Sequence, residues 1–409
     1  MNSITAQYRQ DILDHFTEKY YYLKEIKIEK DIEKDEKIKI YTPIEVIKIL
    51  NQSVIGQHRA KVDAANAICN YTKSMSLSAD ERPFSNLLLI GPTGVGKTLL
   101  GHAIAEIMGK NFFEEKMVGF ASPPYVGKHV DKNIIAAAIA KFGGDISKAE
   151  NCIYFLDEID KIAKKETHQR DSSGEGVQIN LLPLLDRQVL NVELKSGETV
   201  KFDSSKALII CAGAFSGIEK NVKKRRETRP RIGFMGCQEQ TDINEYYLNV
   251  DRSDIMDVGF LPEFVGRIGF ISVFNSLSKS ELRQILTEPK KATIKSIDSR
   301  LRLNAKKVDY HGGLFDYIVD TYEKTRPKEQ CKDTNARGLE SYCINLFKNM
   351  FMITDELCKI KKIPRLTIYV DTLEKLDKLN RNSDFNSLEG LEKFVEEGKG
   401  VLKDTGAIS

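Results

Sequence analysis

Asn86-Leu87-Leu88-Leu89-Ile90 runs directly into Gly91-Pro92-Thr93-Gly94-Val95-Gly96-Lys97-Thr98, and the reading of this junction decides the fold. The first stretch is short and continuously apolar, the pattern of a strand buried on both faces. The second satisfies G-x-x-x-x-G-K-[ST], and an apolar helical stretch follows from Thr98. A phosphate-binding loop requires that context, a strand before it and a helix after it. Glycines let backbone N–H groups approach phosphate oxygens, and the positive end of the helix adds favourable charge. Lys97 is then expected to reach the β- and γ-phosphates of ATP, and Thr98 to ligate Mg2+.

Further along, Cys152-Ile153-Tyr154-Phe155-Leu156 repeats the strand pattern and delivers Asp157-Glu158 at its carboxyl end, where ligands of open α/β sheets bind. Asp157 is expected to hold the magnesium ion through water, and Glu158 to orient and deprotonate the attacking water. The two carboxylates could instead cap the following helix. With a phosphate loop upstream, hydrolysis is the stronger reading. A third apolar run spans Ala207–Cys211, and helix-like stretches lie at Lys132–Lys141 and Val177–Leu185. Strands that alternate with helices and lack hairpin signals predict an α/β fold with a parallel sheet between helices.

Thr42-Pro43-Ile44-Glu45 combines a capping hydroxyl, proline at the first helical position and a glutamate reaching back, so a helix and the large domain (residues 42–275) begin there. Ser278-Lys279-Ser280-Glu281 is a second capping box. From it, residues 276–375 read as helices plus one strand, Leu366–Val370, a smaller and mainly helical α+β domain. Residues 1–41 read as a charged extension in which 24–40 alternate isoleucine with lysine and glutamate, and residues 376–409 as a polar, partly helical tail.

The chain has 409 residues, and its 62 basic and 59 acidic side chains leave a net charge of only +3, which gives no global electrostatic footprint for nucleic acid. The seven cysteines are scattered and form no C-x-x-C pair, so neither a zinc site nor a disulfide framework is expected. No leader opens the chain and no apolar run approaches the roughly 20 residues that span a bilayer, so the expectation is a cytoplasmic protein without membrane contact.

Several motifs fall in one order: Thr42-Pro43, Val54-Ile55-Gly56-Gln57, the phosphate loop, Tyr125-Val126-Gly127, Asp157-Glu158-Ile159-Asp160-Lys161-Ile162, Ser173-Gly174-Glu175-Gly176-Val177-Gln178, Gly213-Ala214-Phe215, Pro262-Glu263-Phe264-Val265-Gly266-Arg267 and Ala336-Arg337-Gly338-Leu339. Together they resemble the ClpX family of AAA+ unfoldases over residues 42–345. The likeness implies an AAA+ large domain with a small domain behind it, and a homo-hexameric ring with nucleotide at the subunit interfaces. Such a ring unfolds tagged proteins and passes them to the ClpP peptidase. On that likeness Val54 and Ile55 line the adenine pocket, Leu99 joins the nucleotide contacts, and Arg267 is the finger inserted into the neighbour's site. There a fixed cation offsets charge developing on the transferred phosphoryl group. Arg337 becomes the sensor arginine that contacts phosphate from the small domain.

Tyr125-Val126-Gly127 matches the aromatic loop that lines the pore and drags on polypeptide, and Ile232-Gly233-Phe234 the loop that docks into apolar clefts of ClpP. An amphipathic ring grips any sequence, and an exposed Ile/Phe pair makes sense where a receptor cleft covers it. A second copy, Ile268–Phe270, continues into an apolar run and reads as buried strand. Lys223-Lys224-Arg225-Arg226 reads as the solvated base of a loop rather than a nucleic-acid patch.

The sequence departs from the family in three places. The first 68 residues lack cysteine, so the family's N-terminal zinc-binding domain is not expected in this chain. Pro123-Pro124 precedes Tyr125, which stiffens the pore loop, and the 189–204 hairpin is shorter than the family's basic pore-entrance loop. That shortening is similar to HslU, the related unfoldase of a different peptidase. The compact stretch between Tyr125 and Asp157, the lack of a long insertion before Gly174, and Ile232–Phe234 favour the ClpX family. Two other classes stand as alternatives: a remodelling factor that works without a peptidase, and a DNA-acting helicase.

Overall fold

β1 (Leu87–Ile90), β2 (Asn111–Lys116), β3 (Cys152–Asp157), β6 (Leu208–Gly213) and β7 (Phe270–Val273) form one sheet in the computed structural model, in the order β2-β3-β6-β1-β7. The structure describes residues 41–77, 81–120, 129–164, 173–228, 248–288, 293–325, 335–359, 362–383 and 387–408. Every pairing in this sheet is parallel, with Leu87 opposite both Ile210 and Phe270 and Ile153 opposite Leu208. Because side chains alternate along a strand, Leu88, Ile90, Tyr154, Leu156, Ile209 and Cys211 enter one core, while Leu87, Leu89, Ile153, Phe155, Leu208 and Ile210 enter another. Burial on both faces is why these strands read as continuous apolar runs. The exception is β2. Its Asn-Phe-Phe-Glu-Glu-Lys sequence suits an edge strand, and periodicity alone did not reveal it.

The first expected capping box forms at Thr42. Its hydroxyl accepts from the Glu45 amide at 3.4 Å, and the Glu45 carboxylate accepts from the Thr42 amide at 2.8 Å, opening the helix Pro43–Leu50. The box at Ser278 and Glu281 has the same form and opens Lys279–Thr287. The hairpin consists of β4 (Val189–Glu193) and β5 (Thr199–Asp203), with Val192 and Phe202 fully buried against the first core. Ile268 is buried and leads into β7, which adds to the sheet beside β1. The basic cluster 223–226 lies in the last turns of the helix Ile218–Thr228. There Arg225 grips the fully buried Asp254 through two hydrogen bonds of 3.0 and 2.8 Å and pairs with Asp251 at 2.9 Å. That arginine serves packing.

A third core collects residues between Leu277 and Ala407. It is built by helices Lys279–Thr287, Thr293–Leu301, Leu314–Thr325, Asn335–Cys358, Val370–Asn382 and Leu388–Asp404, with a parallel pair of β8 (Val308–Tyr310) and β9 (Leu366–Ile368). Phe394, Val395 and Leu402 sit in this core, so much of the stretch read as a polar tail is packed structure. The polar face of that helix masked an apolar stripe at i, i+1 and i+8. Four cysteines, Cys69, Cys152, Cys211 and Cys343, are buried free thiols. Among the described residues no helix is long and apolar enough to cross a membrane.

Candidate active site

Parallel pairing places all five carboxyl ends on one edge, and β1, β6 and β3 are neighbours there. The phosphate loop leaves β1, Asp157 ends β3, and Gly213 ends β6. Gly91, Gly94 and Gly96 all have positive φ (150°, 77° and 104°), a conformation that side chains oppose. At Gly91 a Cβ would also lie 2.5 Å from the Phe274 carbonyl oxygen. The loop is therefore a turn of glycines feeding the helix Lys97–Met108, whose first N–H groups have no partner within the helix and are available to an anion. Lys97 is nearly buried, and its Nζ donates to the carbonyls of Gly91 (2.6 Å) and Pro92 (2.8 Å), which hold it across the loop.

A cavity of about 640 Å³ opens over this edge. Its walls include Val54, Ile55, Thr93 to Leu99, Asp157, Glu158 and, from the C-terminal lobe, Ala336 and Arg337. Of the nucleotide-binding residues expected from sequence, Pro92 alone does not line it and contributes its carbonyl to Lys97 instead. Glu158 occupies the left-handed region (φ 56°), and its amide donates to Asp157 Oδ1 at 2.8 Å. A non-glycine residue in that conformation is uncommon and clusters at functional sites. The Thr98 hydroxyl and the Asp157 carboxylate are hard oxygen donors facing one cavity, which suits a magnesium ion that takes few protein ligands and completes its shell with phosphate and water. Among the described residues there is no cluster of three or more metal-ligating side chains, and this kind of site requires none.

A family model for the AAA domain (Cdc48 subfamily) matches residues 82–271. Over 314 residues the chain is 35% identical to the ATP-dependent Clp protease ATP-binding subunit ClpX of Porphyromonas gingivalis, covering 73% of this chain and 74% of that protein. The ClpX subunit of Treponema denticola is 36% identical over 337 residues, 78% of each chain. That of Borrelia duttonii is 34% identical over 339 residues, 79% of this chain and 76% of its own. The chain belongs to the ClpX family. It is accordingly an ATPase with an α/β AAA+ fold.

Within that family frame, two residues that sequence reasoning left without a role stand out. Asp160 Oδ1 accepts from the Ala214 amide at 3.1 Å, tying the turn after β3 to the end of β6. Asn335 is fully buried at φ 29°; its Nδ2 donates to the Thr93 carbonyl (3.1 Å) and its Oδ1 accepts from the Leu277 amide (3.2 Å). The next amide, Ala336, donates to the Gly94 carbonyl at 3.1 Å. Two carbonyls of the phosphate loop are thus held by the first residues of the helix that carries Arg337. The only sequence hint was an asparagine just before Ala336-Arg337, since asparagine tolerates positive φ better than most residues.

Arg267 does not line the cavity of its own chain. It follows the helix Pro262–Gly266 and pairs with Asp186. Tyr125, Val126, Gly127, Ile232, Gly233, Phe234 and residues 1–40 lie outside the described residues.

Proposed function

We propose that this chain is the ATP-hydrolysing subunit of a Clp-type protease, working as a ring of six copies that unfolds tagged proteins and threads them to a ClpP-like peptidase. The observation that carries the reading is the cavity itself. Phosphate loop, Asp157-Glu158 and Arg337 converge on it from two lobes, so its closure depends on how those lobes dock. Within it, loop amides and Lys97 would bind the phosphates, and Glu158 would take the proton of the attacking water. Thr98 and Asp157 would hold Mg2+, which when bound offsets charge on the phosphates. Arg267 would enter from the adjoining copy, where a fixed cation stabilises the transition state. Arg337 would report the phosphate state to the C-terminal lobe.

The pore and docking roles of Tyr125-Val126-Gly127 and Ile232-Gly233-Phe234 rest on motif position. The relatives' printed name, the ATP-binding subunit of an ATP-dependent Clp protease, supports the partnership with a peptidase. The mutation Glu158→Gln should leave ATP bound while lowering turnover by about 10²–10⁴-fold. Used as a trap in a pull-down, the loaded variant should hold both substrate and peptidase. Normal turnover would remove Glu158 from its role. Capture of substrate without peptidase would favour a remodelling factor.

A further inference from the structure

Asp186 and Arg267 are far apart in sequence and are joined by a buried device. Asn86, only 4% exposed, donates through Nδ2 to the carbonyls of Leu185 (3.3 Å) and Arg267 (3.1 Å), which sets the residue after Leu185 beside the arginine. Gly269 completes the junction. Its amide donates to the Asn86 carbonyl at 2.9 Å, and a Cβ there would lie 2.0 Å from the Phe84 carbonyl oxygen, so only glycine permits the approach. Asp186 then accepts from Arg267 Nε through Oδ1 and from Nη2 through Oδ2 at 3.5 Å. Phe84 lies 6.0 Å from the same guanidinium and is itself covered by Arg187 at 4.9 Å. Arg187 is held in the left-handed region (φ 60°) and donates to the Arg82 and Pro83 carbonyls.

An ion pair with this much exposure, 34% for Arg267 and 18% for Asp186, adds little to folding. It does restrict a long side chain. A guanidinium carries five donors in a rigid fork, and Asp186 engages two of them. An arginine ordered before it meets phosphate surrenders less rotamer freedom on engagement, which is how preorganised charge accelerates a reaction. We propose that Asp186 is a positioning residue for Arg267, a carboxylate in the same chain that holds the guanidinium ready for the phosphate site of the adjoining copy. This rests on the reading of Arg267 as a finger acting between copies.

In the full chain, the mutation Asp186→Ala should lower kcat for ATP hydrolysis by about ten- to a hundredfold, with KM for ATP within about threefold, and Asp186→Glu should recover part of the rate. Unchanged kcat, or a raised KM at full kcat, overturns the proposal. Subunit mixing supplies a readout that a role in the chain's own pocket would not move. In rings mixed from Asp186→Ala and Glu158→Gln chains, a Glu158→Gln copy offers an intact Asp186–Arg267 pair to the intact Glu158 of its neighbour. The mixture should therefore hydrolyse ATP faster than either variant alone, and no gain on mixing overturns the proposal. The parallel mixture of Arg267→Ala with Glu158→Gln separates the two readings. If it fails to gain, Arg267 is not a finger. If it gains while the Asp186→Ala mixture does not, only the role of Asp186 falls. Should Asp186→Ala fail to fold or assemble, Asp186→Asn, which keeps the volume and loses the charge, carries both measurements with the same expected directions.

Discussion

Replacing Asn335 by alanine should weaken ATP binding through a side chain that lies behind the phosphate loop. Its Nδ2 bond to the Thr93 carbonyl and its Oδ1 bond from the Leu277 amide both disappear, in a position with no solvent exposure. The first loss is worth about 1 kcal/mol, and stranding the buried Leu277 N–H costs about 1–3 kcal/mol. Alanine at a positive φ of 29° adds about 1–2 kcal/mol that asparagine largely avoids. The sum is about 3–6 kcal/mol. Half of the lower figure falling on the docking of the two lobes corresponds to about a tenfold rise in the dissociation constant for ATP. The assay is titration with a fluorescent ATP analogue in a Glu158→Gln background, where hydrolysis does not interfere. Asn335→Gly, which relieves the backbone but still loses both bonds, should lie between the parent and Asn335→Ala. Affinities within twofold of the parent in both variants would refute the reasoning and leave Asn335 a folding residue only.

Two further outcomes follow from buried groups. Lys110 is pushed down to about 8, chiefly by burial, while its Nζ donates to Tyr71 Oη at 2.8 Å and to the Lys206 carbonyl at 3.2 Å. The folded protein therefore sheds this proton from pH about 8 upward, before the unfolded chain does near the ordinary 10.5, and the unfolded state binds more protons in that window. Stability relative to Lys110→Met should rise between pH 8 and 10, measured by denaturant melts of both proteins, and a flat difference would contradict the assignment. Phe394→Ala should cost about 3–5 kcal/mol by chemical denaturation, because its ring is fully buried in the C-terminal core. A loss below about 1 kcal/mol would mean that this helix is not part of the cooperative core.

The place of the candidate site was legible because its motifs are local. A strand, a glycine turn, Lys97 and Thr98 are contiguous, and Asp157-Glu158 announces itself at the end of another apolar run. Both capping boxes were readable for the same reason, since each closes over three residues. β2 was not, because its two adjacent phenylalanines run into Glu-Glu-Lys, which shows neither a continuous apolar run nor an alternation and resembles a loop. The Leu388–Asp404 helix reads as a tail in sequence because one buried stripe carries its packing while the rest of its surface is polar.

By itself, then, the sequence determined the α/β class, the phosphate loop with its carboxylates, and the family. Tertiary structure decided the strand order β2-β3-β6-β1-β7, the clasp of Asn335 on the loop, and the meeting of Asp186 with Arg267. Buried parallel strands all read as similar aliphatic runs, so periodicity marks each one without saying which neighbour it pairs with. A polar side chain such as Asn335 gains its place only when burial and a distant partner remove its alternatives in water.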